Sequence, residues 1–220
     1  MQIGVLGTGT VGATIGSKLI ERGHRVMMGS RMRGNEKAKA WAKNAGANAV
    51  EGTFGDAAEF GEVLFNCTSG ANSMAALEQA GDRLDHKILI DLTNPLDFSK
   101  GMPPSLTVCN TDSLGEQIQR AFPEVRVVKT LNTVNAMVMV NPGLVPGDHN
   151  MFMCGNDAEA KAQVAGWLGE WFGWRPEVII DLGDITSARG MEMVLPLWVR
   201  LMMALKTPHF NYQIVRATAS

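Results

Sequence analysis

The chain has 220 residues, a formal net charge of −2 and 45% hydrophobic residues. That length can bury a core without disulfides or metals, as one domain of ordinary size with a small C-terminal addition. Acids and bases are mixed along it, which argues against nucleic acid or an anionic membrane surface as a partner.

Met1 to Leu6 reads as a short buried strand. Gly7-Thr8-Gly9-Thr10-Val11-Gly12 follows as G-x-G-x-x-G and opens a helix at once, with Val11, Ile15, Leu19 and Ile20 on one face and Gly23 ending it. The glycines have separate tasks: Gly7 the tight turn, Gly9 the close approach of a pyrophosphate, Gly12 the packing of helix on strand. The free amides and partial positive charge of the helix N-terminus favour phosphate there. A second apolar run, Arg25 to Met28, leads into Gly29-Ser30-Arg31. NAD-binding units carry a carboxylate at the end of that strand for the ribose hydroxyls. A hydroxyl and a guanidinium stand there instead, with Arg33 and Lys37 nearby, which points to a phosphorylated ribose and so to NADP(H). Two charge-assisted hydrogen bonds at about 1.5–3 kcal/mol each would prefer NADP over NAD by roughly a hundred- to ten-thousandfold.

Asn35 to Gly46 reads as a helix anchored by Trp41, Ala47 to Val50 as a brief strand, and Thr53 to Phe60 as a short helix capped by Thr53. Glu62 to Cys67 is the next buried strand, Ser69 to about Ala80 a helix, and Lys87 to Asp91 a strand ending at Thr93-Asn94-Pro95. Gly101 to Pro104 is a loop, Ser113 to Ala121 a helix capped by Thr111 or Asp112, and Val125 to Lys129 a further strand. Thr130 to Asp148 reads as an ordered loop. His149 to Cys154 is a strand, Asp157 to Phe172 a helix, Pro176 to Asp181 a strand, and Ile185 to about Leu205 mostly helix, bent or broken at Pro196. That last element is apolar over most of its circumference, so it is buried either within one subunit or between two.

This alternation specifies an α/β fold: a Rossmann-type, doubly wound, mainly parallel sheet with a small, mostly helical C-terminal part. Residues 1–148 form the NADP-binding Rossmann domain. Residues 149–220 form a small strand and helix region that completes the acceptor site and a dimer interface.

The three cysteines, Cys67, Cys109 and Cys154, form no C-x-x-C, and an odd count points to free thiols in a reducing cytoplasm. Cys67 and Cys154 lie in apolar runs and read as buried and inert. The chain opens on a strand without a signal-peptide stretch. Its most apolar late segment, Met191 to Leu205, is too short and too charged to span a bilayer.

Ligands in such sheets lie beyond the carboxyl ends of the strands. There the cofactor meets Gly7, Thr8, Gly9, Thr10, Val11 and Gly12 at the pyrophosphate, and Ser30 and Arg31 at the 2′-phosphate. Cys67 and Thr68 follow at the second ribose, with Asn94, Asn132 and Ala136 near the nicotinamide. Each Asn can serve either the carboxamide or a turn. No metal-ligand spacing, nucleophile elbow or acid–base constellation stands out, so no residue is assigned a catalytic role. An alcohol dehydrogenase needs a proton donor beside its hydride, whereas transfer between two ring cofactors asks mainly for stacking and orientation.

Gly7-Thr8-Gly9 through Gly12 and Leu19 to Gly23-His24-Arg25-Val26 and Gly29-Ser30-Arg31 resemble the coenzyme F420-dependent NADP oxidoreductase family. So do Asp91-Leu92-Thr93-Asn94-Pro95-Leu96, Lys129-Thr130-Leu131-Asn132-Thr133, Cys154-Gly155-Asn156-Asp157 and Asp181-Leu182-Gly183. The resemblance implies a Rossmann domain, a homodimer and hydride exchange between NADPH and the deazaflavin F420, with Thr8, Ser30 and Arg31 at the 2′-phosphate. The same module occurs in membrane metalloreductases, where it passes electrons to a flavin, so FMN or FAD is the other acceptor class. Two further readings stand beside this one: reduction of a small carbonyl or imine, and a non-catalytic NADP-binding sensor.

Overall fold

The first βαβ unit forms where its pattern places it: β1 (Gln2–Leu6), α1 (Thr10–Glu21) and β2 (Arg25–Ser30). The computed structural model describes residues 1–217, and the elements continue in alternation. They are α2 (Glu36–Ala45), β3 (Ala49–Thr53), α3 (Phe54–Phe60), β4 (Val63–Asn66), α4 (Gly70–Ala80) and β5 (Ile88–Asp91). After β5 come β6 (Leu96–Asp97), β7 (Ser105–Leu106), α5 (Leu114–Ala121), β8 (Arg126–Thr130), α6 (Ala136–Val140), β9 (Met151–Cys154) and α7 (Ala158–Trp167). The chain closes with β10 (Ile179–Asp181), α8 (Ala188–Met193) and α9 (Leu195–Leu205).

One eight-stranded sheet runs β10-β9-β8-β5-β4-β1-β2-β3. From β3 to β8 every pair is parallel. Strand β9 turns antiparallel to β8, and β10 runs parallel to β9. Strand order reverses between β1 and β4, which makes their carboxyl ends the crevice where such sheets take ligands. Strands β4 and β5 are buried along their whole length, as continuous apolar runs between two helical layers must be. One face packs Ile15, Leu19, Trp41, Trp171 and Trp174. The other packs Leu77, Leu84, Leu114, Ile118 and Met191.

Several helices start at a side-chain cap. Asn35 accepts from the amides of Lys37 and Ala38, and Thr53 forms a reciprocal box with Asp56. The cap of α5 differs from the expected Thr111 or Asp112. The Ser113 hydroxyl accepts the Glu116 amide at 3.2 Å, and Asp112 pairs with Arg120 at 2.8 Å instead.

Several segments depart from what their patterns predict. The stretch 130–148 is not loop throughout: Asn135 caps α6, which buries Val138, Met139 and Val140, and a 3-10 turn spans Pro142–Leu144. Five residues are too few to show helical periodicity. The loop 101–104 is the tip of a hairpin whose strands β6 and β7 have two residues each. After α7 the helix widens into a π turn, Leu168–Phe172, which turns both Trp171 and Phe172 into the core. Residues Pro176–Val178 form a 3-10 turn, so β10 is shorter than expected. The last helix is split at Val194, because Pro196 supplies no amide and its ring obstructs a continuous turn. Its apolar surface is not buried within the chain. Only Leu195 and Val199 of α9 are buried, and Leu197, Met203 and Leu205 are exposed. No helix among the described residues is long and apolar enough to cross a membrane.

Candidate cofactor site

The glycine loop is shaped by two close approaches and one open face. A Cβ on Gly7, whose φ is 121°, would lie 2.6 Å from the Cys67 carbonyl oxygen. One on Gly12 would meet the Gly7 carbonyl at 2.2 Å, while the Cβ direction of Gly9 is open for 4 Å. No side chain caps α1 at Gly9, so its first amides remain available to an anion. The loop forms one wall of a cleft of about 540 Å³. This geometry suits a pyrophosphate laid against the loop and the helix end.

The cleft brings together Gly7, Thr8, Gly9, Ser30, Arg31, Cys67 and Thr68. Thr10, Val11 and Gly12 form the first turn of α1 directly behind it. Arg31 is exposed at the end of β2 and has no ionic partner among the described residues. Arg33, by contrast, pairs with Asp56 at 2.8 Å, so it does not add the free charge expected of it. Lys37 lines the cleft. The Ser30 hydroxyl donates to the Met32 carbonyl at 2.6 Å and thereby shapes the turn that presents Arg31. The far wall comes from α4 through Ala75, Ala76 and Gln79. Small residues on an ordinary helix face give no sign of this in the sequence.

Asn94, Asn132 and Ala136 do not line that cleft but follow the carboxyl ends of β5 and β8, with the Asn94 carbonyl against Gly70 at the start of α4. The two Asn side chains join these loops. The Asn132 amide donates to Asn94 Oδ1 and to the Met191 carbonyl, both at 2.9 Å, and the Asn94 amide donates to the Asn132 carbonyl at 2.9 Å. Asn132 Oδ1 and the Thr133 hydroxyl are buried with no protein partner. Ala136 is buried at the start of α6.

Beneath these loops lies a charged cluster that sequence spacing does not show. Lys129 Nζ is 2.8 Å from Asp91 Oδ2 and 3.0 Å from Glu192 Oε1, and it also donates to the Thr93 carbonyl at 2.8 Å. The three residues come from β8, β5 and α8, and their side chains are 0–1% exposed. Burial would drive the ammonium to lose its proton, but the facing carboxylates outweigh that and hold the Lys129 pKa above its usual value. Closed from water on every side, the cluster does not face the cleft as an acid or a base.

The thiols follow the same logic. Cys67 is buried and its pKa is pushed up by desolvation and then by Asp91, while that of Cys154 is pushed up to about 12, chiefly by burial. Cys109 alone is exposed. One thiol per chain, lost in Cys109→Ser, should therefore react rapidly with Ellman's reagent under native conditions. Fast reaction of a second thiol would contradict this placement. His24 is buried edge-on against Trp171 at 5.0 Å, and burial lowers its pKa. Among the described residues no His, Cys, Asp and Glu side chains are grouped so as to hold a metal ion.

Strand order, glycine loop and cleft define a Rossmann-type dinucleotide-binding protein. Residues 2–95 match the family model described as NADP oxidoreductase, coenzyme F420-dependent. The crystal structure of a candidate F420-dependent NADP-reductase from Arthrobacter sp. FB24 is 51% identical, with a TM-score of 0.92 over 98% of this chain and 100% of that one. The F420-dependent NADP reductase of Methanocaldococcus jannaschii is 28% identical over 94% of this chain and 95% of that protein. Metalloreductase STEAP3 of Rattus norvegicus is 27% identical over 98% of this chain, which spans 42% of that relative's length. A reductive aminase from Aspergillus terreus shares the fold at 18% identity and a TM-score of 0.67. The chain belongs to the coenzyme F420-dependent NADP oxidoreductase family and is an NADP-dependent oxidoreductase.

Proposed function

We propose that the chain transfers a hydride between NADP(H) and a second ring cofactor, either the deazaflavin F420 or a flavin such as FMN or FAD. The observation that carries this reading is Arg31, unpaired at the end of β2 beside a glycine loop built for pyrophosphate. NADPH supplies two electrons and a proton as hydride, and the acceptor ring takes its second proton from water. The chain's own work is to bind and orient. Gly7 to Gly12 hold the pyrophosphate, Arg31 the 2′-phosphate from the turn that Ser30 shapes, and Cys67 and Thr68 the second ribose. Asn94, Asn132 and Ala136 shape the nicotinamide end.

The region from residue 149 onward completes the acceptor side and supplies a homodimer contact. The exposed Leu197, Met203 and Leu205 of α9 support that contact, because an apolar helix face is normally covered. The protein works in the cytoplasm. The test is to mix purified protein with NADPH and, separately, F420, FMN or FAD, and to follow absorbance of both partners. Oxidation of NADPH matched by bleaching of one ring is expected. No exchange with any of the three overturns the reading.

A further inference from the structure

Withdrawing an ion from water costs several kcal/mol after relaxation, and an apolar replacement of similar shape often stabilises a fold as well. The buried Asp91–Lys129–Glu192 cluster therefore calls for a reason beyond stability, and its connections supply one. Toward the middle of the sheet, Asp91 Oδ1 accepts from the Thr93 hydroxyl at 2.8 Å and from the Asn66 amide at 3.0 Å. Asn66 Oδ1 in turn accepts the Thr68 hydroxyl at 2.8 Å, and Thr68 lines the cofactor cleft. Toward the C-terminal region, Glu192 accepts the amides of Leu114 at 2.8 Å and Gly115 at 3.0 Å, which fixes α5 against α8. Its neighbour Met191 accepts the Asn132 amide. One continuous set of hydrogen bonds thus runs from α8 through β8 and β5 to the loop after β4. The strand-end loops that it reaches, after β4 and β5, are those proposed above to hold the nicotinamide half of the cofactor.

We propose that Glu192 is a positioning residue for hydride transfer: acting through Lys129 and Asp91, it sets the loops carrying Thr68 and Thr93-Asn94 and locks them to α8. The inference rests on the proposed placement of the nicotinamide at these loops. Arg31, at the 2′-phosphate end of the cleft, lies outside the network, which touches α4 only through the Asn66 amide on the Ser73 hydroxyl at 2.8 Å.

The test compares Glu192→Gln, Thr93→Val and Arg31→Ala in the full chain. Three quantities are read: the NADPH dissociation constant, the emission of bound NADPH, and kcat with its primary isotope effect using C4-deuterated NADPH. A neutral Gln must turn its amide toward at least one of the donors that Glu192 now accepts. Glu192→Gln should leave the dissociation constant within about threefold, lower kcat by about tenfold or more, raise the isotope effect and change the bound emission. Thr93→Val removes one hydroxyl without changing shape and should move the same readouts less. Arg31→Ala should do the reverse, weakening binding without touching the isotope effect or the emission. Glu192→Asp, which keeps the charge, should recover part of the rate. If Glu192→Gln lowers only the melting temperature and leaves rate, isotope effect and emission unchanged, the cluster merely stabilises and the inference fails. If that variant does not fold, Thr93→Val decides the inference through the same three readouts. If no ring acceptor is reduced even by the wild type, the proposed function fails, while the emission of bound NADPH still decides this inference.

Discussion

Arg31→Ala should weaken NADPH binding by about a hundredfold while leaving NADH within about threefold. The size follows from losing a guanidinium that meets the 2′-phosphate through one or two charge-assisted hydrogen bonds, each worth about 1.5–3 kcal/mol. Compensation from neighbours is limited. Arg33 is held by Asp56, and Ser30 spends its proton on Met32, so Lys37 is the remaining cation that lines the cleft. Because Arg31 is exposed, its attraction is screened, and the NADPH preference of the wild type should narrow as salt is raised. The same exposure means the fold loses little, so the melting temperature of the free protein should hardly move. Calorimetric titration with both nucleotides checks this directly. An equal loss for NADPH and NADH would show that Arg31 stacks on adenine, which both nucleotides share, rather than reading the phosphate.

Arg31 is legible in the sequence because its position is defined by what precedes it. A buried strand, a glycine turn and an amphipathic helix are local patterns, and the second strand must then end beside the first. The same holds for Thr53, whose capping of α3 can be read within four residues. What stays hidden is what no local window contains. Asp91 and Lys129 each look like ordinary strand-end polar residues, and Glu192 like a polar residue on a helix. Only the pairing of β5 with β8, which sets Asp91 opposite Lys129, and the packing of α8 bring the three together. Arg33 misleads in the opposite direction: it looks like free charge because its partner Asp56 lies on a different element. The hairpin of β6 and β7 and the single turn of α6 are too short for their periodicity to be read.

The cluster also allows stability to be separated from geometry. Lys129→Met should destabilise the protein by about 3–5 kcal/mol, because it leaves two carboxylates facing one another where no water reaches. For a chain of this length that corresponds to a fall in melting temperature of roughly 10 °C. The triple variant Asp91→Asn, Lys129→Met, Glu192→Gln carries no charge at the same place and should regain most of that loss. Its Asn and Gln amides cannot reproduce the pattern in which Lys129 donates while both carboxylates only accept. The bonds that hold Thr93 and the α5 amides should therefore be made imperfectly. The expected outcome is a protein that melts near the wild-type temperature and binds NADPH with near wild-type affinity but transfers hydride slowly, since small displacements of reacting rings cost far more rate than stability. Thermal melts, NADPH titration and single-turnover rates on the same preparations distinguish the cases. A triple variant that recovers both melting temperature and rate would mean that the loops at the ends of β4 and β5 hold their shape without the ions. One that recovers neither would mean that the cluster is needed to build the carboxyl ends of β5 and β8 at all.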